Sequence, residues 1–171
     1  MVEVTVSLLL KCQCDPAVKK LILSFDEMVN WWLKQAGNQK FKSYVSFRQA
    51  FYKKAREKFK PWNSQHVENS GLVAFLMQKR GLANKKLSFV LLSPLTVSVQ
   101  KTKLRISLAP RKFGFVMLTV KNKLQREVLS LLEDQICRLG QVFLTEKWVV
   151  LPAIIPVDLT QKEAKLISRL L

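Results

Sequence analysis

The residues with the clearest potential for chemistry are the cations of one long segment that contains no acid. Between Glu68 and Glu127 the chain has no Asp or Glu, while Lys and Arg recur throughout. The whole chain carries 29 Lys and Arg against 12 Asp and Glu, a formal net charge of +17 at pH 7. Cations at this density attract phosphate oxygens and release counterions from a nucleic acid. The sequence therefore predicts a polyanionic partner, and nucleic acid is the leading candidate.

The candidate contacts form two groups. Those in the first half of the chain are Lys53, Arg56, Lys60, Trp62, Lys79, Arg80, Lys85 and Lys86. Those in the second half are Lys101, Lys103, Arg105, Arg111, Lys112, Lys121 and Lys123. A single Lys or Arg is more often a solvated surface charge than a contact, so the hypothesis concerns each group as a whole. Contacts of this kind bind phosphate without reading base sequence.

The four tryptophans are expected mainly in the core or in helix packing. For Trp31, Trp32 and Trp148 this expectation follows from the general tendency of tryptophan to be largely buried. Trp62 differs because it follows Lys60 in a polar loop, where its ring could stack on a base. Trp62 is therefore the one tryptophan for which a binding role is predicted.

Other chemistry is weakly indicated. His66 is the only histidine, and Glu68 lies on a different helix face, so a capping or surface role is expected rather than acid–base catalysis. Cys12, Cys14 and Cys137 lack a zinc spacing; a metal half-site at the first two is the minor alternative to reduced cytoplasmic thiols. No phosphate-binding glycine loop occurs. We expect no catalytic residue, no metal and no cofactor.

Hydrophobic periodicity predicts the elements that position these residues. An alternating strand opens the chain over 2–10, and Asp15-Pro16 begins a helix that runs to residue 36. Further helices are predicted at about 44–59, 64–80 and 123–139, and one begins at Thr160. Strands are predicted at 87–92, 95–99, 103–108, 115–121, 142–144, 147–151 and 153–157.

This order of elements predicts an α+β fold. A strand that precedes a helical block must pair with later strands, which favours a small OB-like β-barrel with an inserted helical lobe. The predicted barrel comprises residues 1–12 and 86–158, including the helix at 123–139; residues 13–85 form the lobe and 159–171 a C-terminal helix. The apolar content of 49% is typical of a globular protein. Neither a membrane span nor a signal peptide is predicted, so a cytoplasmic location is expected.

Several local motifs in this order are similar to those of a known family. They are Cys14-Asp15-Pro16 and residues 28–33 (MVNWWL), 60–69 (KPWNSQHVEN) and 103–108 (KLRISL). Together they resemble the amino-terminal half of transposon-encoded TnpB (OrfB) proteins, especially archaeal ones. Those proteins are compact RNA-guided DNA nucleases related to type V CRISPR effectors. The resemblance covers nearly the whole chain. It implies a wedge-type barrel and a helical recognition lobe that both contact guide RNA and the guide–target duplex.

The chain departs from the family near its C-terminus. In the family the wedge leads to a RuvC-type nuclease domain whose first strand carries Gly-Ile-Asp-Leu-Gly. Residues 155–160 (IPVDLT) put Asp158 in the place of the first metal-binding Asp, but both flanking glycines are absent. Two-metal phosphodiester cleavage needs several converging carboxylates. The resemblance therefore implies a chain truncated before the nuclease domain, and a metal-dependent nuclease centred on Asp158 is the least favoured alternative.

The function expected from the sequence is non-catalytic binding of nucleic acid. Structured RNA is preferred over DNA, because shape and phosphate contacts suffice to recognise it, and a basic groove between lobe and barrel would hold it. No membrane partner is expected. One alternative is a structural or regulatory interaction protein, which pairs with itself through the C-terminal helix or with a full-length TnpB-like nuclease. Another is a transposon relic without function.

Overall fold

The computed structural model describes residues 2–82 and 85–157. The helices are α1 (Pro16–Ala36), α2 (Tyr44–Lys58), α3 (Ser64–Lys79) and α4 (Lys123–Glu133). The strands are β1 (Val2–Cys14), β2 (Phe89–Leu92), β3 (Val97–Gln100), β4 (Lys103–Ala109), β5 (Lys112–Thr119), β6 (Arg138–Leu139), β7 (Val142–Thr145) and β8 (Trp148–Val157). The predicted α+β class is confirmed.

All eight strands belong to one antiparallel sheet. Its order is β2-β7-β8-β1-β5-β4-β3, with the short β6 paired to β8. The long β1 pairs with β8 from Val2 to Lys11 and with β5 from Lys11 to Cys14, so it joins the two halves of the sheet. The prediction that the first strand pairs with strands beyond the helical block is confirmed.

The sheet is open, and the predicted closed barrel is not found. Its edges are β2 and β3, which follow each other in the chain without pairing among the described residues. A 3-10 turn, Pro94–Thr96, lies between them. The Ser93 carbonyl accepts a hydrogen bond from the Thr96 amide at 2.9 Å, and Pro94 has no N–H to donate to a ladder. The chain therefore turns at this point and does not close the sheet.

Asp15 starts α1 and ties it to the sheet. One carboxylate oxygen accepts from the Val18 amide at 2.7 Å, as an N-cap does, and the other accepts from the Phe115 amide at 2.7 Å. Pro16 occupies the first helical turn, where its missing N–H costs nothing. A single side chain thus fixes the position of α1 on β5.

The three helices between β1 and β2 pack around Trp32. Its indole Nε1 donates to the Ser70 hydroxyl at 3.1 Å, and its ring stacks on Phe47 with centroids 5.5 Å apart. Gly71 lies directly beneath the ring, where a β-carbon would come within 2.9 Å of it. The buried side chains of helices and strands form one continuous core. The division into barrel and lobe therefore stays a prediction.

Some predicted boundaries are wrong. α4 ends at Glu133 rather than near 139, because Gln135 takes a left-handed conformation (φ 59°) and the Ile136 amide bonds back to the Leu131 carbonyl at 2.9 Å. The two strands predicted at 147–151 and 153–157 form the single strand β8, which runs through Pro152. The predicted C-terminal helix (159–171) lies outside the described residues. No described helix combines the length and apolar character that crossing a membrane requires.

Candidate nucleic-acid interface

A groove lies between the sheet and the three helices α1, α2 and α3 that follow β1, which we call the helical insertion. The start of α1, the loop between α2 and α3, and the turn between β4 and β5 enclose about 200 Å³. It is lined by Ala17, Lys20, Pro61, Trp62, Leu108, Ala109 and Lys112. The loop is held against β4, since the Asn63 amide donates to the Leu108 carbonyl at 2.7 Å. The Arg56 guanidinium donates to the Trp62 carbonyl at 3.0 Å, so this predicted contact residue fixes the groove wall.

The groove brings together residues from both predicted groups. Trp62 is half-buried in one wall and Lys112 is exposed in the other. Lys60 and Arg111 are exposed and directly adjoin lining residues in the chain. Lys20, one helical turn into α1, also lines the groove and was not predicted. The signal for Lys20 was its position near the start of a helix whose apolar stripe faces the core.

The other predicted cations occupy separate places. Lys101 lies in the β3–β4 turn beside α4, and Lys121 and Lys123 lie at the start of that helix. Lys79 and Arg80 end α3, and Lys79 lies over the Phe75 ring at 4.9 Å. Lys53 lies on α2, and Lys85 and Lys86 lie ahead of β2; these three are exposed as well. The candidate cations therefore do not all share one surface.

Lys103 and Arg105 lie on the face of the sheet opposite the core. In the strand register Lys103 faces Met117 and Arg105 faces Phe115, while the neighbouring residues of β4 point inward. Each cation leans diagonally over an aromatic ring. The Lys103 ammonium lies 4.4 Å from the centre of Phe115, and the Arg105 guanidinium carbon lies 3.5 Å from the centre of Phe113. Both distances are typical of cation–π contacts.

The two rings are unusually accessible for aromatic side chains. Phe113 is 40% exposed and Phe115 is 37% exposed, and Met117 beside them is 50% exposed. Gly114, between the rings, explains their outward direction, because it lies against Val18 of α1 where no side chain would fit. Phe113, Phe115 and Met117 were not among the contact residues predicted from the sequence. The signal in the sequence was that residues 113–118 are apolar at odd and even positions alike. They follow a strand in which Lys103 and Arg105 alternate with apolar residues.

Trp148 was expected in the core, and this is wrong. It is 41% exposed on the outer face, opposite Lys11 in the strand register, and the Lys11 ammonium lies 5.4 Å from its ring centre. The neighbouring Val149 and Leu151 fill the inward positions of β8. Strict alternation therefore places the indole outside.

His66 is fully buried and the N-cap of α3 is Asn63, so the expected capping or surface role is wrong. Its Nε2 lies 2.8 Å from the Ser107 carbonyl, to which it donates in the neutral form. Burial lowers the pKa of His66 to about 4, although the hydrogen bond to Ser107 opposes this shift. The imidazole is therefore neutral near pH 7 and joins the first turn of α3 to β4.

The three cysteines are free thiols. Cys12 and Cys14 point to the same side of β1, and their sulfurs lie 3.8 and 3.6 Å from the Thr145 carbonyl. The hydrogen bond between the two thiols lowers the pKa of Cys12 against the effect of burial, and it raises the pKa of Cys14, as burial also does. Within 2–82 and 85–157, no group of three His, Cys, Asp or Glu side chains could hold a metal ion. Asp158 lies outside these ranges.

No ion pair in the described part of the chain involves a cation of the groove or of the outer face. The ion pairs among the described residues are Arg48–Glu68 at 2.7 Å, Lys123–Glu127 at 3.6 Å, and Arg138–Glu3. Other acids accept backbone amides, as Asp15 does at Val18 and Phe115. Of the predicted contact residues, only Lys123 has an ion-pair partner in the described part of the chain. The cations of the groove and the sheet face are thus free to meet an anionic partner.

No protein-family model matches the chain, and no curated protein has significant sequence similarity to it. A functional conclusion therefore rests on the groove, the outer face and the charge. The resemblance to TnpB proteins stays an expectation from local motifs.

Proposed function

We propose that this chain is a non-catalytic nucleic-acid-binding protein that takes structured RNA in preference to DNA. The observation that carries the proposal is the groove in which cations from the helical insertion and from the sheet meet beside Trp62. Lys20, Lys112 and their neighbours Lys60 and Arg111 offer phosphate contacts on both sides of it.

Charge and geometry support this ligand over a small molecule. With a formal net charge of +17, the chain attracts a polyanion at long range. Lys20, Pro61 and Lys112 in the groove lining are exposed, so a phosphate backbone lying across the groove can reach them. Cations placed on opposite walls can contact phosphates without reading bases. Structured RNA fits this mode, because proteins recognise it largely by shape and by contacts to phosphates and 2′-hydroxyls.

We also propose, from the resemblance to TnpB proteins, that the sheet and the inserted helices correspond to a wedge and a recognition lobe. A sheet with helices inserted after its first strand agrees with the wedge and recognition lobe that the resemblance implies. We infer that the open sheet corresponds to the wedge barrel and that the chain works in the cytoplasm. Both inferences concern origin and setting, and the groove supports the binding function without them.

The test compares two triple variants with equal loss of charge. Lys60→Gln/Arg111→Gln/Lys112→Gln removes cations at the groove. Lys34→Gln/Lys40→Gln/Lys42→Gln removes three exposed cations around the far end of α1, roughly 30 Å away along a helix of this length. Affinity for a fluorescein-labelled RNA hairpin, and for the DNA hairpin of the same sequence, is measured by anisotropy between about 50 and 200 mM NaCl.

We expect the groove variant to lose affinity and to flatten the plot of log affinity against log salt. Each lost phosphate contact reduces that slope by roughly 0.9 on a duplex, so three contacts change it by about 2 to 3. The control variant should change it by less than about 1. Equal effects of the two variants, or no binding by the wild type even at the lowest salt, would overturn the proposal. Equal affinity for both hairpins would remove the RNA preference.

A further inference from the structure

We infer that the outer face of β4 and β5 is a stacking platform for a single-stranded segment of the nucleic acid. The platform consists of Lys103, Arg105, Phe113 and Phe115. This inference rests on the proposed function and adds the ligand's local form: unpaired bases lie on the sheet, while the groove holds phosphates. The predicted base-stacking residue, Trp62, is thereby joined by residues that lie outside the groove.

The first support is the combination of rings and cations at each position. Phe113 and Phe115 are 40% and 37% exposed, so each presents apolar area to solvent. Aromatic rings of this kind stack on nucleobases of any sequence, and arginine adds a cation–π contribution. Arg105 and Lys103 already lie against the rings and can meet the phosphates that flank a stacked base. Rings and charges thus match the two chemical parts of a single strand.

The second support is spacing. Phe113 and Phe115 lie two residues apart on one strand, which separates them by about 7 Å. Two rings at this separation can each take a different base. A base-paired duplex hides its ring faces inside the stack, so only an unpaired segment can use both rings.

A hollow beside the platform extends it. It encloses about 150 Å³ and is lined by Ser98, Ser107, Arg105, Phe113, Leu95, Thr96 and Val97. Leu95 is 82% exposed, and the side chain of Ser98 points to solvent. The Ser98 hydroxyl can donate to or accept from the edge of a base that rests on Phe113, and the Ser107 hydroxyl, which accepts from the Asn63 amide nitrogen at 3.3 Å, can still donate. The platform therefore has apolar, cationic and hydrogen-bonding groups within one small area.

Charge argues against a second copy of this chain as the occupant. A two-fold pairing of this face with itself would bring Lys103 and Arg105 close to their own copies, because such interfaces are self-complementary. Like charges brought together at an interface oppose association. A strand of nucleic acid carries the opposite charge and satisfies the same cations.

The experiment measures two RNA probes against three variants. The probes are a fluorescein-labelled oligouridine, which has no paired bases, and the RNA hairpin used for the groove. Phe113→Leu/Phe115→Leu removes the rings but keeps apolar side chains on the strand. Phe113→Tyr/Phe115→Tyr keeps the rings. Phe143→Leu is the matched control, since Phe143 is also 37% exposed but lies three strands from β5 and stacks on Phe89.

We expect the leucine variant to bind oligouridine roughly tenfold to a hundredfold more weakly, while its affinity for the largely paired hairpin falls much less and the salt slope stays nearly unchanged. The tyrosine and Phe143→Leu variants should bind like the wild type. A 4-thiouridine oligonucleotide should crosslink within β5 in the wild type. This crosslink keeps the inference testable even if the leucine variant folds poorly, which circular dichroism will reveal.

Two results would overturn the platform while leaving the groove intact: oligouridine binding that is equal in wild type and leucine variant, or crosslinks confined to other elements. A concentration-dependent dimer that the leucine substitutions dissolve, without any change in RNA affinity, would overturn it in favour of self-association. If the wild type binds neither probe, the proposed function itself fails. The failures of the two proposals are thus distinguishable.

Discussion

The helical insertion and the β4–β5 half of the sheet use aromatic residues in opposite ways. In the helices the rings meet each other inside: Trp32 is fully buried and stacks on Phe47. On the sheet Phe113 and Phe115 remain exposed and meet cations instead. Aromatic content alone therefore says little about the role of a ring. The periodicity of the element and the residues opposite each ring decide whether it stabilises the fold or stays available to a ligand.

A substitution at Trp32 should have the largest effect on stability, because its ring is the buried member of this comparison. Trp32→Ala removes a fully buried ring and leaves a cavity over Gly71. We expect a loss of about 3–5 kcal/mol in the free energy of unfolding, as for other buried aromatic truncations. Urea unfolding followed by circular dichroism measures the change.

Phe115→Ala is the matched substitution on the sheet. Because the ring is partly exposed and Lys103 covers one side of it, we expect a cost of about 1 kcal/mol or less. Equal losses at Trp32 and Phe115 would mean that the exposed rings belong to the core as fully as the buried ones do. That result would weaken the proposed platform.

The junction between the two regions should make stability depend on pH. His66 joins α3 to β4, and burial lowers its pKa to about 4, whereas an unfolded histidine titrates near 6.5. Between these values the unfolded state binds a proton that the folded state does not. Stability is therefore complete above about pH 6.5 and falls as pH decreases toward 4, by roughly 3 kcal/mol at most. Urea unfolding at a series of pH values measures the slope.

His66→Gln is the control for this dependence. A glutamine amide can donate to the Ser107 carbonyl but does not titrate. Because His66 is the only histidine in the sequence, the slope between pH 6.5 and 5 should largely disappear in the variant. An undiminished slope would assign the effect to carboxyl groups and would show that His66 is not neutral in the folded state.

The helices could be predicted well from the sequence, because their signals are local. Asp15-Pro16 marks the start of α1 and caps it in the structure. Gly37 marks its end, with a positive φ of 51° that suits glycine. The predicted end of α4 was wrong because the left-handed residue after the helix is Gln135 and not a glycine. Residues other than glycine rarely adopt this conformation, and the sequence carries no signal for it.

The candidate site was only partly predictable. Charge identified Lys103, Arg105 and Lys112 as candidates, since cations without nearby acids can be counted directly. The sequence does not show which residues of β5 face outward, because residues 113–118 (FGFVML) are almost all apolar at odd and even positions alike. A shift of one residue would exchange the inward and outward sets. Contact with α1, which no local pattern encodes, decides which set faces solvent.

Gly114→Ala tests whether contact with α1 sets the outward face of β5. A β-carbon at Gly114 would lie 2.6 Å from Val18 Cγ2 and 3.2 Å from Leu108 Cδ1, too close without movement of α1 or β5. We expect Gly114→Ala to destabilise the fold by about 1–3 kcal/mol, as overpacking of a dense core does. Urea unfolding gives the change, and accessibility of the β5 rings can be followed by binding to oligouridine.

Val18→Ala tests whether the clash is the cause. It removes Cγ2, so adding Gly114→Ala to it should cost much less than the same change in the wild type, and the pair should couple in a double-mutant cycle. Additive costs would mean that α1 does not press on Gly114. The outward direction of Phe113 and Phe115 would then need another explanation. Strong coupling together with weaker oligouridine binding would show that the contact at Gly114 holds both rings toward solvent.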